Sequence, residues 1–394
     1  MKTILLRAPL LTQSGYGVHA RQIAKWLFRV ASETHQLDIT TEPLPWGKCH
    51  MIVDPEAEDG LVGQIIQATG NKKNFYDVTI QLQLPNEWNP FAGNFNIGVT
   101  AGVETDKCNP AWIDCINRMD MVIVPSEFTK QTFLDTGEIK VPIVVVPESY
   151  PEVYDQLQPL SPSLDLGLST KFNFLVVGQL TGNNVDNDRK NLPYTLKWLA
   201  DAFAGNPDVG IVLKTNSGAQ TQLDKQNVKT IFAKLVSEIQ QPVGPKFYLL
   251  HGHMTDEELF GLYTHPDIKA LVSFTHGEGY GLPIAEAAAC GLPVIATNWS
   301  GHLDIFKGGK FIPVDRMLQT IPESRVDNQI FMKDVKWAMP IEMDAKRRLK
   351  KFYESTQMPQ QWAKEHQVRV KSELSFSAVA QKYSTLLEEH LKSV

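Results

Sequence analysis

No run of about eighteen consecutive apolar residues occurs in the 394-residue sequence, which excludes a membrane-spanning helix but leaves peripheral membrane contact open. Cysteine is scarce. Cys49, Cys108, Cys115 and Cys290 are too few and too scattered for a disulfide scaffold, and no CxxC pair suggests structural zinc. A reducing, cytoplasmic setting is the expectation. Neither sign of charge dominates: 38 basic against 44 acidic side chains leave a net charge of -6, which argues against a surface given over wholly to nucleic acid. The apolar run at the start breaks at Arg7, short of a signal-peptide core, and reads as a first strand.

What is present is the composition of an ordinary folded protein, 43% apolar and 21% charged. At about 150 residues per domain the length predicts two to three domains. In the carboxyl half, short β-rich runs at 174–177, 210–213, 247–250, 270–273 and 293–296 alternate with helical spacings at 196–203, 228–239, 256–263 and 282–290. That alternation predicts a parallel sheet covered by helices on both faces. The amino half follows the same grammar, with strands at 3–6, 78–82, 95–100, 121–124 and 143–146 and a helix over 18–30. The aperiodic stretch 151–169 reads as the connection, giving an amino domain 1–160, a carboxyl domain 161–375 and a terminal helix 376–394. The fold class is therefore α/β, two doubly wound Rossmann-like domains whose ligands belong in loops after strands.

One segment carries most of the chemistry. His276-Gly277-Glu278-Gly279-Tyr280-Gly281-Leu282-Pro283 follows the run at 270–273 and opens the Ala-rich helix that Gly291-Leu292-Pro293 ends. Its glycines let backbone approach a ligand, Pro283 suits the first helical turn, and free amides at the helix start favour an anion or a sugar phosphate. Glu278 lies in the loop and Glu286 one turn into the helix. The bland reading is a glycine-rich corner with a carboxylate near a helix start.

This segment, continuing to Glu286-Ala287, resembles the Glu-x7-Glu signature of the retaining GT-B glycosyltransferases of family 4. Ser300-Gly301-His302-Leu303-Asp304 is similar to the loop those enzymes place beside the donor, and Val124-Pro125-Ser126-Glu127-Phe128 to their late amino-domain turn. The resemblance implies two domains facing a central cleft, a last helix crossing back to the amino domain, and a hexose-type sugar moved from a nucleoside-diphosphate sugar, UDP- or GDP-linked, to an acceptor. It implies Glu286 on the ribose, Glu278 on the donor sugar, and the backbone of Gly279, Tyr280, Gly281 and Leu282 against sugar and phosphate. Lys190 matches the family's lysine for the diphosphate. Arg189 is expected to supply the second cation, because Gly178-Gln179-Leu180 has Gln where relatives have Arg. Lys214 is a further candidate, as is Met254 in the loop beside the nucleotide base. Glu104 stands where relatives often have His, and is expected to orient the acceptor or act as a base, or else to bond a backbone turn.

Gly15-Tyr16-Gly17-Val18-His19-Ala20 fits a dinucleotide fingerprint opening a helix, so an NAD-dependent oxidoreductase is the rival reading. A GT-B nucleotide-sugar epimerase is another. Under the transferase reading, Gly15 and Gly17 face donor diphosphate and acceptor. Asp186-Asn187-Asp188 spells D-x-D but lacks a strand directly before it. No metal and no cofactor beyond the sugar nucleotide are expected. Lys346, Arg347, Arg348, Lys350 and Lys351 form a basic run that reads as a wet helix face or as contact with anionic lipid or DNA. The acceptor stays open: a glycan, a lipid-linked sugar, a protein or a modified DNA base.

Overall fold

The computed structural model describes residues 1–47, 49–159, 164–180, 184–218 and 221–392, in two compact units. The amino unit holds Met1–Ser149, Asp327–Met332 and Phe376–Val394; the carboxyl unit holds Tyr150–Val326 and Lys333–Ser375. The expected boundary at 160/161 falls outside the described residues.

The amino unit runs β1 (Lys2–Ala8), α1 (Gly15–Thr34), β2 (Leu37–Pro43), α2 (Leu61–Ala68), β3 (Tyr76–Leu82), β4 (Gly93–Val99), α3 (Ala111–Ile116), β5 (Met121–Val124), α4 (Glu127–Thr136) and β6 (Ile143–Val145). Its sheet is parallel, in the order β2-β1-β3-β4-β5-β6. Ile4, Leu5 and Leu6 are all buried, as a central strand covered on both faces requires. Helix α1 begins three residues before the expected position because Ser14 caps it: the Ser14 hydroxyl accepts from the Gly17 amide at 3.0 Å. Strand β2, absent from the sequence reading, pairs with β1 over seven residues. Its Leu37-Asp38-Ile39-Thr40-Thr41 is too polar for a clear apolar signal, yet Thr40 and Thr41 are buried.

The carboxyl unit runs β7 (Phe172–Val177), α5 (Leu192–Ala202), β8 (Val209–Thr215), α6 (Gln222–Ile239), β9 (Lys246–His251), α7 (Asp256–Tyr263), β10 (Ile268–Ser273), α8 (Leu282–Ala289), β11 (Val294–Thr297) and β12 (Ile312–Val314). A hairpin follows, β13 (Arg316–Thr320) and β14 (Lys336–Pro340), then α9 (Glu342–Glu354) and α10 (Gln357–Glu373). The main sheet is parallel, in the order β12-β11-β10-β7-β8-β9, with an apolar core on each face. The last helix, α11 (Phe376–Leu391), belongs to the amino unit. Its Val379, Tyr383, Leu387 and Leu391 join the core of Ile4, Leu6 and Leu27, and Tyr383 stacks on Trp26 at 5.1 Å. This is the return of the final helix that the GT-B resemblance implies.

Strand order locates the sites. In the carboxyl sheet the order reverses between β7 and β10, so the loops leaving those two strands diverge to opposite faces and leave a crevice. In the amino sheet the corresponding point lies between β1 and β3.

Candidate active site

The loop after β7 ends in Asp188-Arg189-Lys190-Asn191, and the loop after β10 carries Gly277-Glu278, so the switch point itself brings these residues together. Lys190 Nζ donates to both Glu278 oxygens at 2.8 Å, and Arg189 Nη1 donates to Glu278 Oε2 at 3.2 Å and to the Gly277 carbonyl at 2.6 Å. Glu278 is buried. Burial alone would raise its pKa, but Lys190 and then Arg189 outweigh burial and bring it down to about 2. The cluster is thus an ionised carboxylate held by two cations. Arg189 and Lys190, which a bland reading would leave solvated, are each less than a quarter exposed. A small pocket opens beside them, lined by Lys190, Glu278, Gly281, Pro283 and Ser273 among others.

The loop after β11 holds Glu278 from behind. The Glu278 amide donates to Ser300 Oγ at 2.9 Å, and the Gly301 amide donates to the Glu278 carbonyl at 2.8 Å. His302 Nε2 lies 2.8 Å from the Thr297 carbonyl and so carries the proton; its Nδ1 faces Ser300 Oγ at 3.4 Å. Only glycine fits at 301, because a Cβ there would lie 2.0 Å from the Gly279 carbonyl oxygen. Ser300 adopts φ 86°, a strained backbone of the kind concentrated at functional sites. From the other side β14 braces the loop: His276 Nδ1 donates to the Ala338 carbonyl at 2.7 Å, Ala338 donates back to the His276 carbonyl at 3.0 Å, and Trp337 stacks on the His276 ring at 4.5 Å. The His276 amide in turn donates to the Arg189 carbonyl at 2.9 Å.

Gly281, at φ 102°, begins α8, and Glu286 projects from that helix. Its Oε2 accepts from the buried Tyr263 hydroxyl at 2.8 Å. Burial, with Asp256 adding to it and Tyr263 and Lys214 opposing, pushes the Glu286 pKa up to about 7. Lys214, near the end of β8, is pushed down by burial while Glu286 holds it up. Tyr280 is buried, its ring packed into the core. Gly279 and Leu282 flank the same turn. Met254 packs half-buried against that core, just before the Thr255 cap of α7.

The D-x-D carboxylates are engaged in shaping the loop. Asp188 accepts from the Leu192 amide at 2.8 Å and the Lys190 amide at 3.1 Å, and Asp186 accepts from the Tyr194 hydroxyl at 3.1 Å. Among the described residues no group of three or more His, Cys, Asp or Glu side chains has metal-binding geometry. In the amino unit, Gly15 and Gly17 open α1. The Tyr16 hydroxyl lies 3.0 Å from Thr100 Oγ1 and accepts from the Ala101 amide at 3.2 Å; burial raises its pKa, and Glu104 adds to that from the loop after β4. The basic run lies on α9, where Lys346 pairs with Asp201 at 2.8 Å and Arg347 and Arg348 both pair with Asp344; Lys350 and Lys351 are exposed. Among the described residues no helix is long and apolar enough to cross a membrane.

Sequence reasoning missed Tyr263, whose motif-free setting at the end of α7 gives no signal, and the His276–Trp337 brace, which spans 61 positions. It singled out Glu278, Arg189 and Lys190 separately, largely through the family resemblance; their meeting in one ion-paired cluster is visible only in space.

Residues 234–318 match the family described as glycosyl transferases group 1. A probable sucrose-phosphate synthase from Thermosipho melanesiensis is 28% identical over 175 residues, 41% of this chain and 37% of that one. The match therefore spans well under half of that relative's length. Among solved structures, the sucrose-phosphate synthase of Thermosynechococcus elongatus covers 99% of both chains with a TM-score of 0.66 at 15% identity. Anabaena HepE, solved with UDP and glucose, covers 98% of this chain and 100% of its own with a TM-score of 0.58 at 15% identity. The fold is GT-B, as in those structures, and the segment that matches glycosyl transferases group 1 includes the Glu278–Glu286 stretch.

Proposed function

We propose that the chain is a retaining glycosyltransferase of family 4, which moves a hexose-type sugar from a nucleoside-diphosphate sugar to an acceptor. The observation that carries this reading is the buried Glu278 carboxylate held by Lys190 and Arg189 at the switch point of the carboxyl sheet. A departing nucleoside diphosphate gains negative charge, and the two cations are preorganised to receive it, which lowers the barrier without a protein nucleophile. Glu278 accepts hydroxyls of the donor sugar, and the 279–282 backbone lies along sugar and phosphate. Glu286 accepts the ribose hydroxyls. The amino unit takes the acceptor, with Glu104 positioned to orient it and Gly15 and Gly17 giving close backbone approach. HepE was solved with UDP and glucose, and that supports UDP-glucose as the first donor to try. Transfer needs no metal in this reading, which the engagement of Asp186 and Asp188 within their own loop supports.

The test is product mass spectrometry over a panel of UDP-, GDP- and ADP-sugars with glycan, lipid-linked, peptide and DNA acceptors, with and without a chelator. Transfer with retained anomeric configuration, unchanged by chelator, is expected. Hydride transfer to NAD, or epimerised donor with no acceptor product, would refute the transferase reading in favour of one of its two rivals.

A further inference from the structure

Glu286 has a partner supplied by another helix. Tyr263 ends α7, is buried, and sends its hydroxyl across to Glu286 Oε2 at 2.8 Å, so one carboxylate oxygen is occupied before any ligand arrives. A phenol on the rigid end of a helix fixes both the rotamer of the glutamate and the direction of its remaining lone pairs. From the geometry we infer that Tyr263 is a positioning residue for donor binding, holding Glu286 so that its free oxygen faces the ribose hydroxyls. The inference rests on the reading of Glu286 as the ribose ligand and extends it to α7, which no motif marks.

Hydroxyls donate to a carboxylate better than to a carboxylic acid, so donor binding requires Glu286 to be ionised. The groups facing it are Tyr263 and Asp256 from α7, Lys214 from β8, Tyr154 from the short turn Glu152–Asp155, and Cys290 just after α8, with Lys371 of α10 acting on Cys290. Of these, burial and Asp256 hold the proton on Glu286, whereas the Tyr263 hydroxyl and Lys214 help to release it. With its pKa near 7, affinity should fall by about tenfold per pH unit below that point. Removing the Tyr263 hydroxyl withdraws a hydrogen bond to the charged form, and the inflection moves up by about one pH unit. A side chain that only filled space would not move it.

Isothermal titration with UDP across pH 6 to 9 tests this on the parental chain, Tyr263→Phe, Glu286→Gln and the double variant. The expected result for Tyr263→Phe is a loss of about tenfold at pH 6 that shrinks to within about twofold at pH 9. In the Glu286→Gln background the Phe substitution should change affinity no further. A Tyr263→Phe loss equal at both ends of the pH range, or one that persists in the Glu286→Gln background, would overturn the inference while leaving the donor site standing. If the parental chain binds none of UDP, GDP and ADP, the donor reading and this inference fall together.

Discussion

Two glutamates eight positions apart sit in opposite electrostatic situations, and the difference sets what each can do. Glu278 is buried against two cations and stays ionised; Glu286 is buried with a phenol and a nearby Asp256, and holds a proton until pH approaches 7. The folded pKa of Glu278 lies below its ordinary 4.5, so its stabilising contribution is present above pH 4.5 and is lost as pH falls towards 2. Glu278→Gln should remove that contribution, on the order of 3 kcal/mol, and flatten the acid limb of the stability curve. It should also abolish most turnover. Glu286 has the reverse sign: its folded pKa is raised, so the contribution of its proton is complete below 4.5 and disappears as pH rises through 7. Glu286→Gln should therefore stabilise the fold above pH 7, by on the order of 1–3 kcal/mol, while weakening donor binding. Denaturant titrations at pH 3, 5 and 8 decide both; a Glu286→Gln variant less stable than its parent at pH 8 would contradict the burial argument.

Single elements carry the site by where they end. The 300–302 loop passes so close to 279 that a methyl group has no room at Gly301, so Gly301→Ala should displace Glu278 and reduce donor affinity by tenfold or more, about 1.4 kcal/mol, while leaving most of the fold intact. Binding measured by titration beside unfolding measured by circular dichroism separates the two effects. The helix α11 is a structural element of the amino unit: Leu387 has no exposed surface and packs with residues of β1 and α1. Leu387→Ala should cost about 2–5 kcal/mol in chemical denaturation, and a cost under about 1 kcal/mol would mean that this helix does not close the amino core.

At the scale of the molecule, each unit has a parallel sheet with its own apolar cover, and the Glu278, Lys190, Arg189 and Glu286 groups lie in the carboxyl unit. A nucleoside diphosphate bound there acts by mass action on the native state alone. At a hundred times its Kd it should add about 2.7 kcal/mol of stability. UDP raising the melting temperature where NAD does not is the expected pattern, and NAD doing so instead would favour the Gly15-Tyr16-Gly17 loop as a dinucleotide site. Of the basic residues of α9, Lys346, Arg347 and Arg348 share three carboxylates, whereas Lys350 and Lys351 are exposed.

The amino-acid sequence by itself determined the α/β class, most parallel strands and the identities at the glycine-rich 276–286 loop, because buried parallel strands are continuous apolar runs and the turn needs residues that side-chain sterics single out. It placed 256–263 and 282–290 as helices within a residue of their observed ends. It left β2, β12 and the 316–340 hairpin unread: β2 is half-polar and β13 exposed, so partners decide their conformation, and β12 is only three residues long. Only the tertiary structure decided what surrounds each charge. That Lys190 meets Glu278 across 88 positions follows from the reversal of strand order at β7 and β10, and that Tyr263 meets Glu286 follows from the packing of α7 against α8. Protonation depends on distance and burial in space, and neither is written in the order of the residues.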